Sequence, residues 1–379
     1  MRILLIAAAN SITGGGERHV ADLATGLTQR GLEVAIAAPA GGAMAVLAGE
    51  LGAAYFDVDV YGGKARAEIR AALHVFKPDI VHAHGSRAAL FARQADLRAA
   101  ERCVVTLHGL QGAHGFGSFA KLALERRVKD KTAAFITVCK SDRDKAAQLG
   151  ILDPNKTTVI YNGVPLPPLE QLTRWRDEQV LACEAGFDAD APMLLHVGRL
   201  DPEKNQRGLL HAFAWLLARE RDARLALVCV GDTAKRAKLE QLAAKLNVTH
   251  AVAWLTPRAN LTPLYASCDA FVLPSHWEGL PYTILEAMVA ATPVVASNVD
   301  GIPEAVVPEV TGFLEKPNDS EALAETLEDA LNLTGAQRRE MGENARAGIE
   351  QRFSLERMID NTVAIYEGVG ILDESSTSC

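Results

Sequence analysis

Cysteine is scarce, and what there is forms no pattern. The six residues, Cys103, Cys139, Cys183, Cys229, Cys268 and Cys379, include no C-x-x-C pair, and no histidine cluster stands at zinc-ligand spacing. That argues against a disulfide scaffold and against a zinc module. Cys103, Cys139 and Cys229 lie in or beside apolar runs, so they read as small buried hydrophobes of a reducing compartment. Long apolar runs are missing as well. No uncharged stretch approaches the roughly 18 residues that span a bilayer. Met1-Arg2-Ile3-Leu4-Leu5-Ile6 does not open a signal peptide, because polar residues follow Ala9 with no cleavage pattern. A cytoplasmic protein is therefore expected, with any membrane contact peripheral and at the inner face of the cell membrane. Positive charge is in deficit. The 39 Lys and Arg against 47 Asp and Glu leave a net charge of -8, which argues against nucleic acid as a partner.

What is present is ordinary soluble-protein composition, 49% hydrophobic and 23% charged, over 379 residues. At roughly 150 residues per domain that length gives two domains. Charge is unevenly divided between them. Residues 1–168 carry 20 Lys and Arg against 15 Asp and Glu, whereas the remainder carries 19 against 32. A basic first half is suited to an anionic partner; chance differences between domains are the plain alternative.

The chain alternates short apolar runs with longer amphipathic ones. Ile3–Ala8, Val34–Ala38, Ile80–His84, Cys103–Leu107 and Ala134–Val138 read as strands. Helix-like stretches Arg18–Arg30, Lys64–Phe76 and Ser86–Arg98 lie between them. The strands are apolar at successive positions, the mark of a parallel sheet buried on both faces. Asn162-Gly163-Val164-Pro165-Leu166-Pro167-Pro168 then reads as a linker. The alternation restarts with strands at Met193–Val197, Leu225–Val230, Ala270–Leu273 and Pro293–Ala296, and helices at Gly208–Arg219, Ala234–Leu246 and Tyr282–Val289. Helical patterns over Glu321–Leu331, Thr334–Gln351 and Leu355–Tyr366 close the chain, and the polar residues Asp373–Cys379 read as a disordered tail. The fold class is α/β, with two doubly wound domains in tandem.

Four stretches carry candidate chemistry. Thr13-Gly14-Gly15-Gly16-Glu17-Arg18-His19 joins a strand to a helix, a place where glycines let backbone approach a ligand and helix amides meet an anion. A tight turn without a ligand explains it equally, and the dinucleotide pattern G-x-G-x-x-G is absent. His82-Ala83-His84-Gly85 and Thr106-Leu107-His108-Gly109 lie at strand ends, where open α/β sheets bind ligands. For His82 a core or turn role is preferred. His108 precedes the glycine-rich stretch Gly109–Gly117, which favours a ligand-facing role.

In the third stretch, His196 to Asn205, Arg199 and Lys204 stand five apart on a strand-end loop. Two such cations neutralise a diphosphate, with Arg giving multidentate contacts and Lys a point charge. A solvated basic loop bridged to Asp201 and Glu203 is the alternative. The fourth stretch runs from Leu273-Pro274-Ser275 through Glu278, Gly279, Leu280 and Pro281 into a helix. Pro281 suits the first helical turn, so the amides of Tyr282 and Thr283 face outward as an anion site. Glu286 lies one turn beyond Tyr282 on the same face. One carboxylate is placed to accept from a sugar and the other from a ribose diol. Simple surface charge is the alternative, weakened by the apolar, Gly/Pro-punctuated setting.

Read together, Gly14 to Val20, His196 to Asn205, Pro274-Ser275, Glu278 to Met288, Pro293-Val294-Val295-Ala296 and Gly301-Ile302-Pro303-Glu304 resemble the family 4 retaining glycosyltransferases. The resemblance covers nearly the whole chain. It implies the GT-B fold, two Rossmann-like domains facing across a cleft. The expected division is 1–168 for the acceptor side, 169–352 for the donor side, and 353–379 for a helix returning to the first domain plus the tail. It further implies that Arg199 and Lys204 bind the donor diphosphate and Glu286 the ribose. Glu278 with Gly279, Leu280, Pro281, Tyr282 and Thr283 would hold the transferred sugar and its phosphate. Gly14 and Gly15 would approach the phosphates, with His108 near the sugar. His108 and Glu278 are the catalytic candidates. Two positions depart from the family pattern. Thr233 follows Gly231-Asp232 where a glycine is frequent, and Ala290-Ala291 replaces a small-Gly pair.

The activity so implied is hexose transfer from a nucleotide-diphosphate sugar, UDP or GDP, to an acceptor hydroxyl with retained configuration. No cofactor is expected, and no metal, since the donor stretches contain no Asp-x-Asp. A sugar or lipid-linked acceptor of cell-envelope polysaccharide, lipopolysaccharide or glycolipid synthesis is expected. Phe119–Lys131 contributes to that expectation. Its five Lys and Arg, interleaved with Leu122, Leu124 and Val128, could lie on an anionic membrane. A solvated helix is the plainer account. The rival activities are a nucleotide-sugar epimerase of the same fold and a non-catalytic nucleotide-sugar-binding protein.

Overall fold

The computed structural model describes the chain except residues 97–99, 111–118, 189, 220–221 and 377–379; for 119–121 and 371–376 only the backbone is described. The chain divides into two compact units, Met1–Gly163 with Leu355–Cys379, and Val164–Ser354. The break falls inside the expected linker, a few residues ahead of the boundary at 168. Val164 donates its amide to Phe353 (2.9 Å) and bridges to Ser354, so both crossings lie side by side.

The first unit holds a parallel sheet of seven strands in the order β3-β2-β1-β4-β5-β6-β7. These are β1 Arg2–Ile6, β2 Glu33–Ala38, β3 Ala54–Asp57, β4 Ile80–His84, β5 Cys103–Leu107, β6 Ala134–Thr137 and β7 Thr157–Val159. β1 lies between β2 and β4, with Leu4 opposite Ala35 on one side and Val81 on the other. The central strands are apolar at successive positions because helices cover both faces. Leu4 and Ile6 enter one core, Ile3 and Leu5 the other.

The second unit holds a six-stranded parallel sheet in the order β10-β9-β8-β11-β12-β13. Here β8 is Met193–Arg199, β9 Arg224–Val230, β10 Val252–Leu255, β11 Ala270–Leu273, β12 Val294–Ser297 and β13 Gly312–Glu315. Leu194, Leu227, Val272 and Val295 share its core with Leu209, Phe213 and Leu327 from the helices Gln206–Ala218 and Ser320–Asn332.

Four strands carried no clear signal in the sequence: β3, β7, β10 and β13. They are the edge strands of the two sheets. At three or four residues each, and with few fully buried positions, they lack the continuous apolar run that marks the interior strands.

The final helix, Leu355–Ser376, belongs to the first unit. Met358, Ile359, Tyr366 and Val369 are buried there with Leu5, Val20 and Leu23. Gly26 is required by this packing, since a Cβ on it would lie 2.0 Å from Ile359 Cδ1. The helix runs ten residues past Tyr366, the end expected from the sequence, so Asp373 to Ser376, expected as tail, continue it.

Candidate functional site

In the second unit the chemistry gathers at the carboxyl ends of β8 and β11. These neighbours are the strands between which the chain order reverses, the place where open α/β sheets bind ligands. His196 sets the base of the site. It is fully buried, and its Nδ1 donates to Val272 O (2.9 Å), tying β8 to β11. Burial lowers its pKa to about 4, so the ring is neutral at pH 7 and its Nε2 accepts from Gln206 Nε2 (3.3 Å).

At the end of β8 and just beyond it, Arg199 and Lys204 have separate partners. Arg199 is half exposed and meets Glu203 (2.9 Å) and Asp201 (3.5 Å). The bridged basic loop is thus present in the structure for this residue. Exposed pairs of this kind are worth about 0–1 kcal/mol, little enough for a diphosphate to displace them. Lys204 ends a short 3-10 turn, Pro202–Lys204, and pairs with Glu278 on the other loop. At 13% and 10% exposure this pair is far better sheltered. Ser275 Oγ also donates to Glu278 Oε1 (2.8 Å), so both contacts fall on one carboxylate oxygen.

Two backbone bonds fix the Glu278 loop. His276 N–H donates to Glu203 O (2.8 Å), and Glu278 N–H donates to Asp300 Oδ2 (2.9 Å). Asp300 adopts a left-handed φ of 50°, a conformation Asp and Asn tolerate better than other non-glycine residues. Gly279 and Leu280 follow. Pro281 is extended (φ -73°, ψ 129°) and caps the helix Tyr282–Val289 rather than opening it, because its fixed φ suits the entry as well as the first turn. Tyr282 and Thr283 are the first two helical residues. One turn on, Glu286 Oε2 accepts from Tyr265 OH (3.1 Å).

In the first unit a second group gathers at the ends of β1, β4 and β5. Gly14 caps the helix Gly15–Gln29 with extended backbone. A Cβ on Gly16 would lie 3.4 Å from His108 Cδ2, so the glycine turn sits against His108. Four imidazoles pack here. His84 Nδ1 and His108 Nε2 share a hydrogen bond (3.1 Å), and the His19 ring lies 4.8 Å from that of His108 and 5.4 Å from that of His84. His82 is a core residue, bonded through one ring nitrogen to Tyr366 OH (2.6 Å) and through the other to Thr106 Oγ1 (2.7 Å). Burial and mutual repulsion hold His82, His84 and His108 well below the ordinary histidine range, and burial alone holds His19 at about 4. His108 is therefore a neutral hydrogen-bonding group at pH 7, not a cation.

Asp142 anchors the backbone beside His108. Fully buried on the helix Lys140–Gln148, it accepts the amides of Gly109 (3.0 Å) and Leu110 (2.8 Å). Beyond Leu110 the glycine-rich stretch lies outside the described residues.

The profile described as Glycosyltransferase Family 4 matches residues 13–166, and that described as Glycosyl transferases group 1 matches 180–348. Alpha-maltose-1-phosphate synthase of Mycolicibacterium smegmatis is 31% identical over 310 residues, covering 76% of this chain and 79% of its own length. The chain belongs to glycosyltransferase family 4. A galactosyltransferase of Escherichia coli that acts on GlcNAc-diphosphoundecaprenol is 29% identical over 302 residues, covering 76% of this chain and 75% of its own. Among solved structures, a Rickettsia africae glycosyltransferase superposes with TM-score 0.80 at 20% identity, covering 97% of this chain and 98% of its own. Anabaena HepE, solved with UDP, gives 0.83 at 23% identity, with 97% and 100% covered. The GT-B architecture of two Rossmann-like units is thereby shown.

This glycosyltransferase brings Arg199, Lys204 and Glu278 together on two neighbouring loops of the second unit, with Tyr282, Thr283 and Glu286 on the helix that follows. Gly14, Gly15 and His108 belong to the first unit. His84 and His19 fall within stretches that the sequence marks as candidate ligand sites, without an individual role; Asp142 and Asp300 are unmarked. Its place at the carboxyl end of a strand is the signal for His84; for the two aspartates nothing local serves, since their partners lie 22 to 33 positions away.

The family departures have visible consequences. Ala291, where a glycine is common, has φ 57°. Thr233 opens the helix Thr233–Lys245, capped by Asp232, which accepts from Ala234 N–H (2.7 Å).

The basic segment at 119–131 is corrected in one respect. Leu122 and Val128 are buried, Leu122 within the core, and Glu125 pairs with buried Arg93. The exposed side chains include Arg126 and Arg127, because the apolar stripe is consumed by packing on the unit. Among the described side chains of this segment, charge and not an apolar face is presented to solvent. Among the described residues no helix is long and apolar enough to cross a membrane. Burial also pushes the Cys103 and Cys229 thiols up to about 12, as expected of structural cysteines.

Proposed function

We propose that this glycosyltransferase moves a hexose from a nucleotide-diphosphate sugar to an acceptor hydroxyl with retention of configuration and without a metal ion. The observation that carries the reading is the pairing of Lys204 with Glu278 beside Arg199 at the β8/β11 ends. Arg199 and Lys204 take the diphosphate, the start of the helix Tyr282–Val289 adds its dipole, and Glu286 takes the ribose. Glu278, with Oε1 already engaged, offers Oε2 to a sugar hydroxyl. On the first unit the family pattern assigns Gly14 and Gly15 a phosphate contact and neutral His108 a sugar contact.

In the reaction the bond from C1 to the diphosphate oxygen breaks and its electron pair leaves with the phosphate. The cations stabilise that charge as it develops. The acceptor oxygen bonds to C1 on the same face, and its proton passes to the departing phosphate oxygen. The HepE complexes with UDP and UDP-glucose support a UDP-sugar, and the Escherichia coli galactosyltransferase supports a lipid-linked envelope acceptor met at the inner membrane face. The matches lend no support to an epimerase or to a non-catalytic binder.

Thermal-shift screening with UDP-, GDP-, ADP- and dTDP-sugars identifies the donor. With that donor, Lys204→Met and Arg199→Ala should each lower turnover in EDTA by roughly 100-fold, about 3 kcal/mol of lost charge stabilisation. Full activity in both variants, or an inverted product anomer by NMR, sinks the assignment.

A further inference from the structure

After β3 the chain runs Asp57-Val58-Asp59-Val60-Tyr61-Gly62-Gly63-Lys64 into the helix Ala65–Phe76. Val58 and Val60 are fully buried and enter the core of the first unit. Their burial pins the backbone and turns the alternate residues, Asp59 and Tyr61, outward. Asp59 then shapes a tight turn: its Oδ1 accepts from Tyr61 N–H (2.9 Å) and its carbonyl from Gly62 N–H (2.9 Å).

The result is a rigidly mounted aromatic ring that is 64% exposed. Among the described Phe, Tyr and Trp side chains of the first unit, Tyr61 alone is exposed. Leaving such a ring in water forgoes apolar burial that its neighbours Val58 and Val60 obtain. Arg87 backs it. This residue stands three positions beyond His84, at the start of the helix Ser86–Ala95. Its guanidinium carbon lies 4.6 Å from the Tyr61 ring centroid, and its Nε donates to Val60 O (2.9 Å). Among the described residues neither Nη meets a carboxylate. Lys64 and Arg66 add exposed positive charge on the adjoining turn.

An open ring face suits the apolar face of a pyranose, and an uncommitted guanidinium fork suits a phosphate. We infer that Tyr61 and Arg87 form an acceptor subsite for a pyranose bearing a phosphate group. The inference rests on the glycosyl-transfer reading, for which it supplies the acceptor class. It lies at the carboxyl edge of the first sheet, the same edge that carries Gly14, His84 and His108. The phosphate is either that of a free sugar phosphate or that of a diphosphate-linked lipid.

Isothermal titration of the full chain separates the possibilities. The probes are α-D-glucose 1-phosphate, methyl α-D-glucopyranoside, and N-acetylglucosamine linked through diphosphate to a short prenyl chain. Glucose 1-phosphate should bind saturably and roughly tenfold or more tighter than the methyl glucoside, because only the former reaches the guanidinium. Tyr61→Ala and Arg87→Gln should each weaken it by roughly tenfold, and Tyr61→Trp should keep it within about threefold, since any aromatic face serves. Tighter binding of the prenyl-linked probe identifies the lipid source; equal or weaker binding identifies the free sugar phosphate.

UDP-sugar binding to Tyr61→Ala should be unchanged. A wild-type chain that binds no nucleotide sugar defeats the donor reading while leaving these titrations interpretable. Unchanged glucose 1-phosphate binding in both variants, or no saturable binding of either phosphorylated probe to the wild type, overturns the subsite.

Discussion

Lowering the pH from 7 to 5 should loosen the unit formed by Met1–Gly163 and Leu355–Cys379 before it touches the unit Val164–Ser354. The reason is the distribution of buried histidines. His19 has an unfolded-state pKa of 6.5 and a folded-state value of about 4. Between those values the unfolded chain binds a proton that the folded chain refuses, so stability falls as pH drops through 6.5 towards 4. One pKa unit is worth about 1.4 kcal/mol, so at pH 5 His19 alone removes about 2 kcal/mol. His82, His84 and His108 are shifted in the same direction within the same unit. Asp22 and Asp142, raised by burial, act in the opposite sense over a window that opens upward from 3.8.

The second unit has one such histidine, His196, with about the same 2 kcal/mol at pH 5. It also has Glu315, which burial raises from 4.5 to about 7. Between those values the folded state holds the proton and the unfolded state gives it up. Acidification through 7 therefore favours the folded second unit and offsets His196. Against total stabilities of about 5–15 kcal/mol, the about 2 kcal/mol from His19, with His82, His84 and His108 acting in the same direction and no offsetting Glu315 in that unit, is a large imbalance. Peptide-resolved hydrogen exchange on the intact chain, corrected for the intrinsic pH dependence, measures it. Peptides from β1, β4 and β5 should lose protection at pH 5, while those from β8 and β11 hold theirs. Equal loss in both units, or earlier loss in the second, refutes the reasoning.

Two further outcomes follow from strained positions. Ala291→Gly should raise stability by about 1 kcal/mol, because alanine pays for its left-handed φ of 57° and glycine does not; a denaturant midpoint that falls instead shows that the methyl packing outweighs the strain. At Asp300, glycine relieves strain but removes the acceptor for Glu278 N–H, whereas asparagine keeps both the φ and an oxygen. Turnover should fall roughly tenfold in Asp300→Gly, for the loss of a charge-assisted bond, and much less in Asp300→Asn, with both variants near wild-type stability. Equal turnover in the two variants would show that the hydrogen bond does not position Glu278.

Much of this protein is settled by its sequence. In β1 the successive residues Ile3, Leu4, Leu5 and Ile6 are all apolar, which dictates a parallel sheet covered on both sides. Arg199, Lys204, Glu278 and Glu286 were legible because the two cations and two carboxylates fall in short segments bounded by Gly and Pro. The edge strands were not legible, because half-exposed strands of three or four residues leave no period to read.

What only the tertiary structure decided is who meets whom. Strand order places the ends of β8 and β11 side by side, and so joins Lys204 to Glu278 across 74 positions. It packs together His19, His84 and His108, which the chain spreads over three separate stretches. It turns Leu122 and Val128 inward and Tyr61 outward, although all of them are simply apolar or aromatic letters in the sequence. Pairings of this kind depend on which strands lie side by side, and local pattern carries no record of that; burial then fixes the protonation of the groups so joined.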